Sequence, residues 1–274
     1  MKPQLIKLVQ EATDFLKERG FDQPEVGIIL GTGLGHLIDS VEVIKEVHYN
    51  LIPYFPTATV EFHKGKLIFG ILGGKKVVVM QGRFHLYEGY SQEDVTFPVR
   101  VMHQLGIKKL LVSNASGALN LAFKKGEMML IDDHLNLQGS SPLAFHGVEH
   151  MGERFVDMNR PYDPAMNQQI TQIAEQLNIR LHRGVYVGVL GPQLETRAEY
   201  RFLRLVGGDA VGMSTIPEVI VANHLSLPVA AISVLTDECD PDHLAPVDIN
   251  DIIAQAKKAE PDVVQLFSKL IEQL

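Results

Sequence analysis

Arg83, His85 and Tyr87 lie in the stretch Gln81-Gly82-Arg83-Phe84-His85-Leu86-Tyr87-Glu88-Gly89-Tyr90, directly after an apolar run that ends at Met80. The Arg83 guanidinium is a planar fork of donors matched to phosphate oxygens. His85 can donate to an anion or to a sugar hydroxyl, and Tyr87 can stack on a sugar or hydrogen-bond to it. Their spacing predicts three polar groups on one side of an extended segment. A single Arg or His would carry little weight, since either more often has an ordinary surface or core role.

Other segments repeat the layout of an apolar run followed by small or polar residues. In Gly31-Thr32-Gly33-Leu34-Gly35 the glycines let backbone N–H groups approach an anion, and Thr32 adds a hydroxyl. A dinucleotide fingerprint needs Gly at the position of His36, so that reading fails on spacing; a plain turn stays open. Ser113-Asn114-Ala115-Ser116-Gly117 reads as a strand end with accessible amides, or as a turn in which Asn and Ser bond their own backbone. Thr196 and Glu199 form a capping-box pair. Glu195, just outside it, can accept hydrogen bonds from a nucleobase edge. Ser214 stands near a helix start, where it can cap the helix or meet an anion. Asp237, after Ser233-Val234-Leu235-Thr236, can act as a general acid or hydrogen-bond partner, while Glu238 and Asp240 read equally well as a solvated acidic loop.

The elements that must position these groups follow from periodicity. Strands are predicted at 26–30, 67–72, 76–80, 109–112, 128–131, 185–190 and 229–235, several of them apolar and β-branched throughout, as in strands buried on both faces. A short strand precedes Met213. Helical spacing appears at 4–19, 92–105, 164–177, 196–206, 215–225 and 248–273, with loops at 50–66, 136–163 and 238–248. The alternation predicts an α/β fold with one twisted, mixed, mostly buried sheet flanked by helices, in a single domain over 1–274. The polar clusters then fall at the C-terminal ends of strands, where α/β proteins bind ligands.

Composition narrows the class. The chain has 274 residues, 46% hydrophobic and 21% charged, with a formal charge of -8, which argues against non-specific nucleic-acid binding. No apolar run approaches the roughly 20 residues of a membrane helix, and the first residues lack the apolar core of a secretory signal. A single cysteine, Cys239, excludes an internal disulfide and suits a reducing, cytoplasmic setting. Walker A, HExxH and GxSxG motifs and a metal-binding Cys pair are all missing. What remains suits a metal-free reaction with an anion as nucleophile.

Taken together, GTGLG at 31–35, QGRFHLYEGY at 81–90, SNASGALN at 113–120, GPQLET at 191–196 and AVGMSTIPEV at 210–219 resemble the trimeric purine nucleoside phosphorylases, in order across roughly residues 25 to 235. The resemblance implies a cytoplasmic homotrimer that displaces a purine from C1′ of inosine, guanosine or adenosine with phosphate, and that uses no cofactor. By the same likeness, Thr32, Arg83, His85, Ala115 and Ser214 hold phosphate, and His63 helps close over it. Tyr87 and Met213 contact the sugar; Leu194, Val211 and Tyr186 wall the base. Glu195 holds the base at N1, Asp237 faces N7 and the 6-substituent, and His85, Glu195 and Asp237 carry the catalysis. Family members that act on 6-oxopurines usually have Asn where this chain has Asp237. The related methylthioadenosine phosphorylases have Asp but generally lack the Glu present here as Glu195, which makes them the alternative. No residue is assigned to the 5′-hydroxyl, and Met151 stands near the position from which a neighbouring subunit supplies an aromatic group.

Overall fold

Apolar residues in the central strands point alternately to two opposite cores. In the computed structural model, which describes residues 3–57, 64–244 and 246–274, strand β1 (Val26–Ile29) is buried at every position. Its Ile29 joins a cluster with Val78, Met80, Val99 and Val219, whereas Ile28 joins another with Val77, Val79, Leu266 and Phe267. A strand with both faces covered needs such a continuous apolar run.

One nine-stranded sheet organises the chain. Besides β1 it contains β2 (Glu42–His48), β3 (Lys66–Leu72), β4 (Lys75–Gln81), β5 (Lys109–Ala118), β6 (Met128–Asn136), β7 (Leu181–Gly188), β8 (Ala210–Gly212) and β9 (Val229–Glu238). The order is β2-β3-β4-β1-β5-β8-β7-β6-β9, and a further pairing of β5 with β9 closes the last five strands into a ring. Strands β4, β1, β5 and β9 run parallel, so their C-terminal ends lie at one edge. Helices α1 (Pro3–Glu18), α2 (Gln92–Leu105) and α5 (Ile216–His224) supply residues to the first cluster; α3 (Pro164–Gln176) and α6 (Ile249–Gln273) supply the second. Helix α4 (Arg197–Leu205) lies between β7 and β8 in the chain and packs Tyr200 and Leu203 into a third, smaller cluster. No helix among the described residues is long and apolar enough to cross a membrane.

Every predicted helix is present within a residue or so at each end. The strands differ more. β5 continues through Ser113, Asn114 and Ser116 to Ala118, although those polar residues read as a strand end. They persist in the strand because partners across the core satisfy them: Asn114 Oδ1 accepts from Ser233 Oγ at 2.6 Å, and Ser116 Oγ lies 2.6 Å from the same hydroxyl. β6 and β9 likewise run further than their apolar cores, and β7 begins at Leu181 and stops at Gly188. β2 lies wholly outside the predicted strands. Among the described residues it pairs only with β3, and it buries only Val47, so it has no apolar alternation to signal it.

Candidate active site

Strand β5 changes neighbours along one edge, and the cleft opens at the change. Its pairing with β1 ends at Val112, and pairing with β8 begins at Gly117, leaving residues 113–116 between them without a partner strand on that side. A cleft of about 310 Å³ occupies this position, within the range of small-molecule sites. Gly31 forms its floor against β5. A Cβ there would stand 2.7 Å from Asn114 Cα and 2.8 Å from the Ser113 carbonyl oxygen, both backbone atoms that cannot swing aside. Gly31→Ala is therefore expected to cost about 1–3 kcal/mol of folding stability by overpacking, read from denaturant unfolding.

The cationic side of the cleft is built around Arg83. This residue follows β4, is 2% exposed, and donates from Nη1 to Thr215 Oγ1 at 3.0 Å and from Nη2 to the carbonyl oxygens of Ile29 and Ser113. Its charge faces buried Glu218 at 3.6 Å. Burial pulls the Arg83 pKa below its ordinary value, and Glu218 opposes that shift. Asn114 Nδ2 also donates to Thr215 Oγ1, at 2.8 Å. Thr215 itself sits at φ 73°, a region that a β-branched residue rarely adopts, and these two donors help to hold it there. The strained turn places the Ser214 hydroxyl on the cleft, just before α5, while the Ser214 N–H donates to the Tyr186 hydroxyl at 3.3 Å.

His85 and Tyr87 continue this side. Leu86–Glu88 is a single 3-10 turn, so the segment is not extended as predicted. The turn stacks the His85 and Tyr87 rings at 4.6 Å and 15°, and both still face the cleft. Glu88 Oε1 lies 2.8 Å from His85 Nδ1 and orients the imidazole. Burial, reinforced by Glu88, pushes the Tyr87 hydroxyl up to about 12, so it stays protonated.

The acidic side is separate. Thr196 and Glu199 make the predicted capping box, each side chain bonding the other's backbone N–H. That leaves half-buried Glu195 directed at the cleft, with its pKa raised by burial and then by Asp237 and Glu199, while Tyr200 opposes the shift. Asp237, the second-last residue of β9, also faces the cleft. Neighbouring Glu238, the exposed last residue of β9, pairs with Lys124 at 3.1 Å, and Asp240 in the loop beyond it bonds His243.

The fold thus gathers Thr32, Arg83, His85, Ala115 and Ser214 from four segments onto one cleft, with Tyr87 and Met213 beside them. Leu194, Glu195, Val211 and Asp237 line the same space. Tyr186 does not belong to its wall. The ring is fully buried behind Gly212, where an added Cβ would collide with the Tyr186 hydroxyl, and it supports the Ser214 turn from beneath. His63 lies outside the described residues. Met151 packs against Arg100, its sulfur 4.0 Å from Nη1. Tyr200, Cys239, Ile249 and Ile252 line the cleft without having been singled out. Apolar or cysteine positions on helices and after a strand carry no local mark of a site. Among the described residues, no group of His, Cys, Asp or Glu is placed to hold a metal ion.

Comparison with known proteins gives the chain's family. The family model for the phosphorylase superfamily matches residues 25–272. The chain is 44% identical over 265 residues to purine nucleoside phosphorylase 1 of Bacillus subtilis (strain 168), covering 97% of this chain and 98% of the relative. With the purine nucleoside phosphorylase of Rattus norvegicus, identity is 42% over 272 residues, 97% of this chain and 94% of the relative. A crystal structure of Schistosoma mansoni purine nucleoside phosphorylase in complex with adenosine superimposes with a TM-score of 0.92 at 40% identity, covering 98% of each chain.

Proposed function

The chain belongs to the phosphorylase superfamily, among its purine nucleoside phosphorylases, and from that premise we propose how its cleft divides the work. The enzyme is a pentosyltransferase that cleaves the N-glycosidic bond of purine nucleosides with inorganic phosphate, giving free base and pentose 1-phosphate, a purine-salvage reaction. Near-full-length similarity to purine nucleoside phosphorylases favours this reading over a methylthioadenosine phosphorylase.

One observation carries the division of roles: a single cleft presents Arg83 and hydroxyl donors from one set of segments and the carboxylates of Glu195 and Asp237 from another. In our reading, Thr32, Arg83, His85, Ala115 and Ser214 hold phosphate, with His63 closing over it. Tyr87 and Met213 hold the sugar. Leu194 and Val211 flank the base, whose edge meets Glu195 and Asp237. A phosphate oxygen bonds to C1′ as the C1′–N9 bond breaks. The bonding pair leaves with the purine, which takes up a proton from water at N7 to give the neutral base. Positive charge develops on the sugar between the phosphate dianion and the departing base, so positioning and electrostatics supply most of the rate gain. No step in this scheme calls for a cofactor.

We further read residues 1–274 as one domain acting in the cytoplasm as a homotrimer. Sedimentation equilibrium should give three times the monomer mass; a monomer would overturn this reading. For the reaction, release of base from inosine, guanosine and adenosine is measured with and without phosphate. Phosphate-dependent release is expected, and a folded protein inert on all three would refute the assignment.

A further inference from the structure

Asp237 does not stand alone at the acidic side of the cleft. Its Oδ2 lies 3.3 Å from Cys239 Sγ, and the thiol donates to it. Its Oδ1 lies 3.0 Å from Thr236 Oγ1, whose proton is shared with the Ser116 carbonyl oxygen at 3.2 Å. Cys239 is 1% exposed, and its backbone N–H donates to the Ala118 carbonyl at 2.9 Å, which fixes the residue against β5. The sulfur occupies space left by Gly117. A Cβ at 117 would collide with Sγ and come within 3.0 Å of Asp237 Oδ2. Buried Tyr200 and half-buried Glu195 line the same cleft. Thr236, Asp237 and Cys239 thus form one hydrogen-bonded row on the cleft wall.

Chemistry gives the row a direction. Burial, followed by the charge of Asp237, pushes the Cys239 thiol well above its ordinary pKa, so it keeps its proton and remains a donor. A carboxylate oxygen that accepts from the thiol keeps its remaining lone pairs for acceptance only. At a purine edge, such an acceptor pairs with the N–H of an exocyclic 6-amino group. It has nothing to donate to a 6-oxo oxygen.

We propose that Cys239 is a positioning residue for base specificity: seated opposite Gly117, its thiol holds Asp237 as a hydrogen-bond acceptor and tilts the cleft toward 6-aminopurine nucleosides such as adenosine. This rests on the reading of Glu195 and Asp237 as the base end of the cleft.

The test compares kcat/KM for adenosine with kcat/KM for inosine in the wild-type enzyme and in Cys239→Val and Cys239→Ser, each checked for folding by thermal unfolding. The wild type should turn over adenosine. Loss of one hydrogen bond to a charged group should lower the adenosine-to-inosine ratio about 10-fold in Cys239→Val. Cys239→Ser, which restores a donor, should keep the ratio near wild type. A purely packing role for Cys239 would lower both rates together and leave the ratio unchanged, and that result overturns the proposal. So does a wild type that cleaves inosine but not adenosine, whether or not the variants fold. Absence of phosphate-dependent cleavage of any nucleoside would instead refute the underlying functional assignment.

Discussion

Replacing Arg83 with Met should destabilise the protein by about 3–5 kcal/mol and abolish phosphate-dependent turnover, whereas Arg83→Met combined with Glu218→Met should recover most of the stability and none of the activity. Arg83 and Glu218 are each 2% exposed, and their charges lie 3.6 Å apart. Glu218 Oε2 has no hydrogen-bond partner among the described residues, so its compensation comes largely from the guanidinium. Removing one member of such a buried pair strands the other charge in a poor solvent, whereas replacing both with apolar groups is often neutral. Thr215 Oγ1 also loses a donor in both variants, which leaves a residual deficit at the strained turn beside Ser214. Urea unfolding of the wild type, both single variants and the double variant measures the coupling. Phosphate titration of the turnover rate measures the functional loss. A double variant with wild-type affinity for phosphate would reduce Arg83 to a structural role.

Glu195→Ala should lower kcat/KM for inosine by about 10²–10³-fold, the usual loss for a hydrogen bond that matters in the transition state, while Glu195→Gln should raise thermal stability at neutral pH. The second effect follows from the sign of the pKa shift. Burial, with Asp237 and Glu199 adding repulsion, raises the Glu195 carboxyl above its ordinary 4.5. The unfolded chain therefore loses this proton at lower pH than the folded one. Ionisation begins to oppose folding as pH rises past 4.5, and the cost is fully present above the folded pKa. A neutral amide removes that cost, and its advantage should vanish below pH 4.5. Activity runs the other way, because the N1–H of a 6-oxopurine needs an ionised acceptor; inosine cleavage should fall as pH drops through the raised pKa. Differential scanning calorimetry across pH, paired with a pH–rate profile, checks both. An equal or lower unfolding temperature for Glu195→Gln at pH 7 would contradict the assigned burial.

Much of the candidate site was legible in one dimension because its residues cluster where apolar runs stop. Thr32, Arg83, His85, Glu195, Ser214 and Asp237 each stand at such a break. The parallel strands β1, β4 and β9 bring those near 32, 83 and 237 to one edge, whereas Glu195 and Ser214 arrive from β7 and β8, which run antiparallel to β5. The start of the helix after 196 was similarly readable, since a capping residue such as Thr196 acts within a single turn. The α/β class and the family likeness followed from the same local patterns in order along the chain.

Tertiary structure decided the rest. The full length of β5 depends on Ser233 and Thr215 satisfying its polar residues from a distance of more than a hundred positions in sequence. The exclusion of Tyr186 from the cleft wall depends on Gly212 standing in front of it, and the strand at 42–48 exists only because β3 offers an edge. Cys239 had no motif to mark it, yet packing against Gly117 sets its thiol on Asp237. Sequence by itself determines which groups are available and which local elements carry them, because propensity and capping are short-range. Which groups meet, and in which protonation state, is set by burial and by partners remote in the chain, which only the closed fold brings together.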